Sequence, residues 1–255
     1  MKKLYGTLAI VLLCIACNGE GDYTYEMIRE ETHSWSSVGI VRVDVDDVNG
    51  DIDVTARQDT TITLDVTKRC FGEDSVDAEE HITNIEITTQ ITSGELAVEA
   101  DMPTDQERSY SASLDFRMPD SLYMYLLTIN GSITVRNMRN GASIYTTNGA
   151  LSVQNFEGSI NGETLNGNIV CDMNALTSSE GIDLLSENGD ITTDVPSTVT
   201  ATFDLSNNNG NITISGFTNV VYTTNQPNHK AGTINGGGAT IDIYTNNGNI
   251  DLNGK

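Results

Sequence analysis

An Asn-Gly pair set between two alternating apolar runs recurs through the second half of this chain, and it restricts the fold more than any other feature. The clearest copy is Ile144-Tyr145-Thr146-Thr147-Asn148-Gly149-Ala150-Leu151-Ser152-Val153. The corners fall at Asn130-Gly131, Asn148-Gly149, Asn166-Gly167, Asn188-Gly189, Asn209-Gly210 and Asn247-Gly248, in steps of 18, 18, 22, 21 and 38 residues. Recurrence of one unit at this period marks a repeat architecture. Side chains alternate across a strand, so residues two apart share a face. One such parity class reads Ala142, Ile144, Thr146, Leu151, Val153 in one copy and Ile241, Ile243, Thr245, Ile250, Leu252 in the last. That face is aliphatic with a short hydroxyl or amide beside the corner, and the opposite face is mainly polar.

Two folds satisfy the pattern. Asn-Gly between alternating strands is a strong hairpin signal, which gives an antiparallel β-meander. The rival is a β-solenoid, in which each repeat makes one coil and like residues stack on like. The corners keep their chemical type from copy to copy, as a ladder of side-chain amides requires, and a second set of glycines stands near mid-coil at Gly141, Gly158 and Gly181. The expected class is therefore all-β: a solenoid over 121–255, preceded by a less regular β-rich region over 38–120, with the meander as the alternative.

The flanking regions carry weaker copies. Val43 to Val54 repeats the unit around Asn49-Gly50, Ile62 to Val66 reads as a strand, and Ile85 to Val98 repeats the unit with Ser93-Gly94 at its corner. Between them, 72–81 is acidic and reads as a loop or short helix. No proline-rich linker separates this part from the array, so it is expected to pack on it. Near the end, Val221-x-Thr223-x-Asn225 reads as a degraded coil and 226–238 as a loop. The sequence stops just after Leu252, inside a strand pattern. An open solenoid end needs cover, which suggests either a loop of this chain or a homo-oligomer formed through the C-terminal coil.

The first residues read as a leader. Lys2 and Lys3 precede an apolar run from Leu8 to Ile15 and a small Ala16, directly before Cys17. The run is too short to span a bilayer. It resembles a bacterial lipoprotein signal with Cys17 as the lipidated residue, although Cys14 holds the place where such signals usually carry Leu; cleavage without a lipid is the alternative. The expected organisation is a signal peptide at 1–16 and a lipid-anchored flexible spacer at 17–37. In an oxidising compartment, Cys70 and Cys171 are left to be buried thiols or a bridge.

The formal charge is −23, and −25 without the two leader lysines. This argues strongly against a nucleic-acid or anionic-membrane contact surface. Taken together, the leader, the Val48-Asn49-Gly50-Asp51-Ile52-x-Val54 unit, the Arg117-Met118-Pro119 entry and the serial Thr-x-Asn-Gly units resemble a bacterial family of β-strand-repeat, candidate-adhesin domains. The resemblance covers about residues 38–255. It implies a right-handed single-stranded β-helix at the cell envelope, with no established activity.

Catalytic constellations are thin. His33, His81 and His229 lie far apart, outside any metal or nucleophile motif. Asp44, Asp46, Asp47, Asp51 and Asp53 surround Asn49-Gly50, but Val45 occupies a required ligand place of a calcium loop. They read as outward residues of an edge strand. No cofactor or metal is expected. One outward column is less polar than a solvated face: three before the corner Asn stand Leu127, Tyr145, Glu163, Leu185, Ser206 and Tyr244, with Tyr222 in the degraded coil, and Ile129 and Leu165 lie beside it. Leu127, Tyr145, Tyr222 and Tyr244 form a candidate ligand stripe for a glycan or a protein partner, unless residues 38–119 cover it. The expected function is that of a non-enzymatic, membrane-anchored adhesin-like protein at the bacterial cell envelope. The alternatives are a polysaccharide-acting β-helix enzyme or a purely structural envelope component. A lyase needs cations for its developing anion, and the array from 121 to 255 holds only Arg136, Arg139, Lys230 and Lys255.

Overall fold

The computed structural model describes residues 23–103 and 108–255. The leader, Cys17 and the first part of the spacer lie outside the described residues. In chain order the first elements are β1 (Tyr25–Ser36), β2 (Arg42–Asn49), β3 (Ile52–Arg57), β4 (Thr61–Gly72), α1 (Ser75–Ile82), β5 (Glu86–Thr92), β6 (Glu95–Asp101) and β7 (Tyr110–Pro119). The array then contributes β8 (Tyr123–Asn130), β9 (Ile133–Arg136), β10 (Ala142–Asn148), β11 (Leu151–Glu157), β12 (Ile160–Asn166), β13 (Ile169–Ala175), β14 (Gly181–Asn188) and β15 (Ile191–Val195). The last are β16 (Ala201–Asn209), β17 (Ile212–Ser215), β18 (Val220–Gln226), β19 (His229–Ile234), β20 (Ala239–Asn247) and β21 (Ile250–Gly254).

These strands form two sheets around one aliphatic core. Each repeat coil with an Asn-Gly corner follows one strand of the first sheet, bends at that corner, and continues as one strand of the second. In the first sheet β8, β10, β12 and β14 pair in parallel, and in the second β9, β11, β13 and β15 do the same. Asn130, Asn148, Asn166 and Asn188 stand in register. The chain is a β-solenoid and not a meander.

Three sets of bonds recur at the corners. The corner amides form one polarised ladder, each Nδ2 donating to the next Oδ1 at 2.6–3.0 Å along Asn130→Asn49, Asn148→Asn130, Asn166→Asn148, Asn188→Asn166, Asn247→Asn188 and Asn209→Asn247. Inside it, the hydroxyl two residues before the Asn donates to a glycine carbonyl of the neighbouring coil: Thr146 to Gly131 at 2.8 Å, Thr164 to Gly149 at 2.9 Å and Ser186 to Gly167 at 3.0 Å. These hydroxyls are buried, so each must find an acceptor. Outside it, a side chain after the glycine accepts the next coil's backbone N–H, as Asn168 does from Asp190 at 2.9 Å. The glycine itself is required by close approach: a Cβ on Gly149 would stand 2.0 Å from the carbonyl oxygen of Gly131. At the opposite bend Asn137 and Asn155, both at positive φ, make a second amide contact at 3.2 Å.

The structure departs from the sequence expectations in several places. The last coil is not at the end of the stack. β20 lies between β14 and β16, and β21 between β15 and β17, so both edges of Ile250–Gly254 are already bonded within the chain. The open edge on which a C-terminal oligomer was expected is therefore absent. The 38-residue step arises because the chain passes beyond the place that the last coil will fill, builds β16 and β17, covers β16, and returns. The cover is not a degraded coil followed by a loop but an antiparallel hairpin, β18 and β19, laid on β16.

The other end shows similar out-of-order stacking. β6 and β7 pair outside β2 and β3, while β8 and β9 pair inside them. Strand β2 is consequently interior and not an edge, and its Asp47 is fully buried instead of outward. Ser93-Gly94 is a hairpin turn and not a coil corner, since β5 and β6 run antiparallel. The acidic stretch contains helix α1, whose Asp74 side chain accepts from the backbone N–H groups of Val76 and Asp77 at 2.9 Å each, an N-cap satisfying otherwise unpaired donors. Residues 25–36, expected as flexible spacer, pair along their whole length with β4. Cys70 on β4 and Cys171 on β13 are both buried, with β7, β3, β9 and β11 between their strands, so the bridge does not form. Burial pushes the Cys171 thiol up to about 12.

Candidate functional site

Register places the outward column as the spacing predicts. Leu127, Tyr145, Glu163, Leu185, Tyr244 and Ser206 lie side by side on neighbouring strands of the first sheet. The region 38–119 does not roof this column. Its strands β2 and β6 continue the same sheet, and Leu127, Tyr145, Leu185 and Tyr244 remain half-buried while Ile129 and Leu165 are exposed. Tyr222 does not belong to the stripe. It pairs with Gly232, which pairs in turn with inward-facing Phe203, and its ring meets Phe203 edge-on at 5.9 Å. Tyr222 thus helps close the end of the core.

Followed toward the N-terminal end, the column runs from Tyr145 through Leu127, Asp46 and Glu99 to Thr88. A second column beside it holds Ser143, Tyr125, Asp44, Ala97 and Gln90. Ala97 is the short member among long side chains, and the sheet surface dips there. The result is an open cleft of about 300 Å³ lined by Asp44, Asp46, Thr88, Gln90, Glu99 and Tyr125 around Ala97.

Aromatic and charged groups frame this cleft. The Tyr125 and Tyr145 ring centroids lie 5.4 Å apart, tilted at 43°. The Arg42 guanidinium lies 5.8 Å from the Tyr123 centroid and 5.4 Å from that of Tyr125, and it pairs with Asp44. Tyr123 and Ser143 share a hydrogen bond of 2.7 Å between their hydroxyls. At these distances the arginine makes a cation–π contact with both rings. Asp46 and Glu99 have no cationic partner among the described residues. The site therefore offers acceptors without a compensating charge, a flat aromatic edge and an amide.

The sequence reading missed Tyr123, Tyr125, Arg42 and Glu99. Parity alone could have supplied the tyrosines, because Tyr125 lies five before Asn130 and so shares the outward face with Leu127. Glu99 could not be placed, since the order in which β6 joins β2 is not written in the repeat. Elsewhere, the histidines are dispersed: His33 contacts Glu31 at 3.1 Å, His81 contacts the Asp77 carbonyl at 2.8 Å and His229 contacts Asp204 at 2.9 Å. Among the described residues no group of three or more His, Cys, Asp or Glu is placed to hold a metal ion, and no helix is long and apolar enough to cross a membrane.

Comparison with known proteins gives a family and a fold. Residues 123–253 match the family described as Toastrack DUF4097. No curated protein matches the sequence. A candidate cell adhesion protein from Clostridium sporogenes, 11% identical, has a crystal structure that aligns over 89% of this chain and 100% of that one with a TM-score of 0.52. A candidate adhesin from Bacteroides fragilis, 10% identical, aligns over 88% of this chain and 96% of that one with a TM-score of 0.43. At such identities the first similarity establishes shared architecture.

Proposed function

The chain belongs to the Toastrack DUF4097 family, and from that premise we propose that it is a non-catalytic, adhesin-like binding scaffold of the bacterial cell envelope. In this reading a lipid on Cys17 tethers it to a membrane, and the outer face of the first sheet meets a glycan. The observation that carries it is the union of the tyrosine stripe with the acidic cleft on one uncovered surface. Tyrosine edges pack against the C–H faces of sugar rings, and carboxylates accept from their hydroxyls. Unpaired Asp46 and Glu99, within a chain of charge −23, favour neutral or amino sugars and repel anionic polymers. Titration calorimetry guided by a glycan array tests this. Tyr125→Ala and Glu99→Gln should each weaken binding of a neutral oligosaccharide at least tenfold, and undiminished binding by both variants would remove the site.

A lyase reading has less support. Arg136 is paired with Asp53 at 2.8 Å, Arg139 approaches Asp120 at 3.5 Å, Lys230 donates to Asn225 at 2.8 Å and Lys255 pairs with Asp172. These cations are dispersed over the surface and already engaged. Protease shaving of intact cells, followed by mass spectrometry, tests whether the binding face meets anything outside the cell; a protein facing the periplasm or cytosol would be untouched.

A further inference from the structure

Seven coils turn a side chain inward two residues before the corner Asn: Asp47, Thr128, Thr146, Thr164, Ser186, Thr245 and Asn207. Six of them donate to a backbone carbonyl of the adjacent coil, at 2.8–3.3 Å. Asp47 is the seventh and is fully buried. Its Oδ1 accepts from the Val48 N–H at 2.8 Å, whereas Oδ2 is buried without a partner.

The place of that oxygen is the place of a donor. A Cβ built on Gly210 would stand 2.0 Å from the Gly248 carbonyl oxygen and 3.0 Å from Asn207 Nδ2, which donates to that carbonyl. A Cβ built on Gly50 would stand 2.1 Å from the Ala112 carbonyl oxygen and 2.9 Å from Asp47 Oδ2. Ala112 thus stands where glycine supplies the acceptor at the other corner, and Oδ2 lies as close to the built Cβ as the amide nitrogen of Asn207 does. An ionised carboxylate would set two acceptors against one another out of reach of water, whereas a carboxylic acid O–H completes the row.

We infer that Asp47 is held as the neutral acid, donating its proton to the Ala112 carbonyl, and that loss of this proton loosens the seam between the β2–β3 coil and the β6–β7 coil. The cleft lies across that seam, with Asp44 and Asp46 on one side and Ala97 and Glu99 on the other. The protonated Asp47 stands on the geometry alone, while its control of ligand binding rests on the function proposed above.

The surroundings agree. Burial raises the Asp47 carboxyl to about 7; the backbone N–H groups of Val48 and Asn49 oppose the shift, while Asp46 and Asp51 add to it. From β6 the register partner is Ala100, flanked by Glu99 and Asp101, and from β8 it is Thr128. From β7 the neighbour is Ala112, with Tyr110 buried on the same face of that strand. The nearby carboxyl groups disfavour a further negative charge. Because the folded value lies above the usual 3.8, the contribution to stability is complete below about pH 4 and is lost as pH rises toward about 7.

Carbon-13 NMR of the full chain labelled at aspartate tests the inference. One carboxyl carbon should titrate near neutrality and be missing in Asp47→Asn; titration of every aspartate in the ordinary acidic range would overturn it. Asp47→Asn keeps a donor, as Asn207 does, and Asp47→Thr repeats the neighbouring coils, so either variant keeps the test open should the other fail to fold. Between pH 5 and pH 8 the wild-type folding constant should fall about a hundredfold relative to either variant, and equal pH dependence would count against the proton. Oligosaccharide affinity should weaken over the same interval in wild type only. If affinity stays flat while Asp47 titrates, the link to the cleft is refuted and the proton assignment stands; if no sugar binds at any pH, the binding reading fails separately.

Discussion

Ser93-Gly94 and Asn148-Gly149 look like the same signal in sequence, yet one closes a hairpin and the other turns a solenoid corner. At the hairpin both residues take positive φ, 54° and 86°, which suits the twist of two adjoining antiparallel strands. Neither Asn148 nor Gly149 does so, and the strands that leave the corner enter different sheets. The residue two places earlier marks the difference. Thr146 is buried and bonded to Gly131 of the preceding coil, whereas Ile91 stands at the equivalent place before Ser93, 49% exposed. A turn dipeptide only bends the chain; an inward donor tells the corner to lie on a neighbour.

Substitution separates the two kinds of corner, and the largest effect is expected at the closest contact. Gly149→Ala drives a methyl group into the Gly131 carbonyl, a backbone atom that cannot swing away, and should cost on the order of 3 kcal/mol or more in urea unfolding. Thr164→Val keeps the shape but leaves the Gly149 carbonyl without its donor, which should cost about 1–3 kcal/mol. Gly94→Ala meets the Gly39 carbonyl at 3.0 Å and Val41 Cγ2 at an ordinary 3.6 Å, so its cost, about 1–2 kcal/mol, comes mainly from its positive φ. Asn166→Ala interrupts the exposed amide ladder on both sides and should lower stability by about 1 kcal/mol. Tyr145→Ala should be the mildest, about 0.5 kcal/mol, because the ring loses only its cross-strand neighbours on an open face. An order with Tyr145 above Thr164 would mean that the stripe, and not the corner, holds the coils together.

Much of the central array was legible because its information is local. Thr146, Asn148, Gly149 and Leu151 each state their own face, and repetition aligns the copies. The order of coils was not legible, because it depends on which edge is vacant when a segment arrives. The sequence around Asn247 is as good a corner as that around Asn209, and nothing in either says that the later one lies inside the earlier. Asp47 escaped notice for a related reason: its neighbours Asp44 and Asp46 face solvent, and a run of aspartates invites one explanation for all, although parity puts Asp47 inside. The candidate cleft was half visible, since its tyrosines belong to the repeat while Glu99 and Gln90 arrive from outside it.

The coils stack in parallel, with the final coil inserted between its predecessors. Cysteine cross-linking reads this directly, because outward register partners on neighbouring strands come within disulfide reach. Leu185 is in register with Tyr244, and Tyr244 with Ser206. Oxidation should therefore join Leu185→Cys to Tyr244→Cys within one chain and leave Leu185→Cys with Ser206→Cys unjoined. Cross-linking of the second pair and not the first would show coils stacked in chain order, and would contradict the structure described.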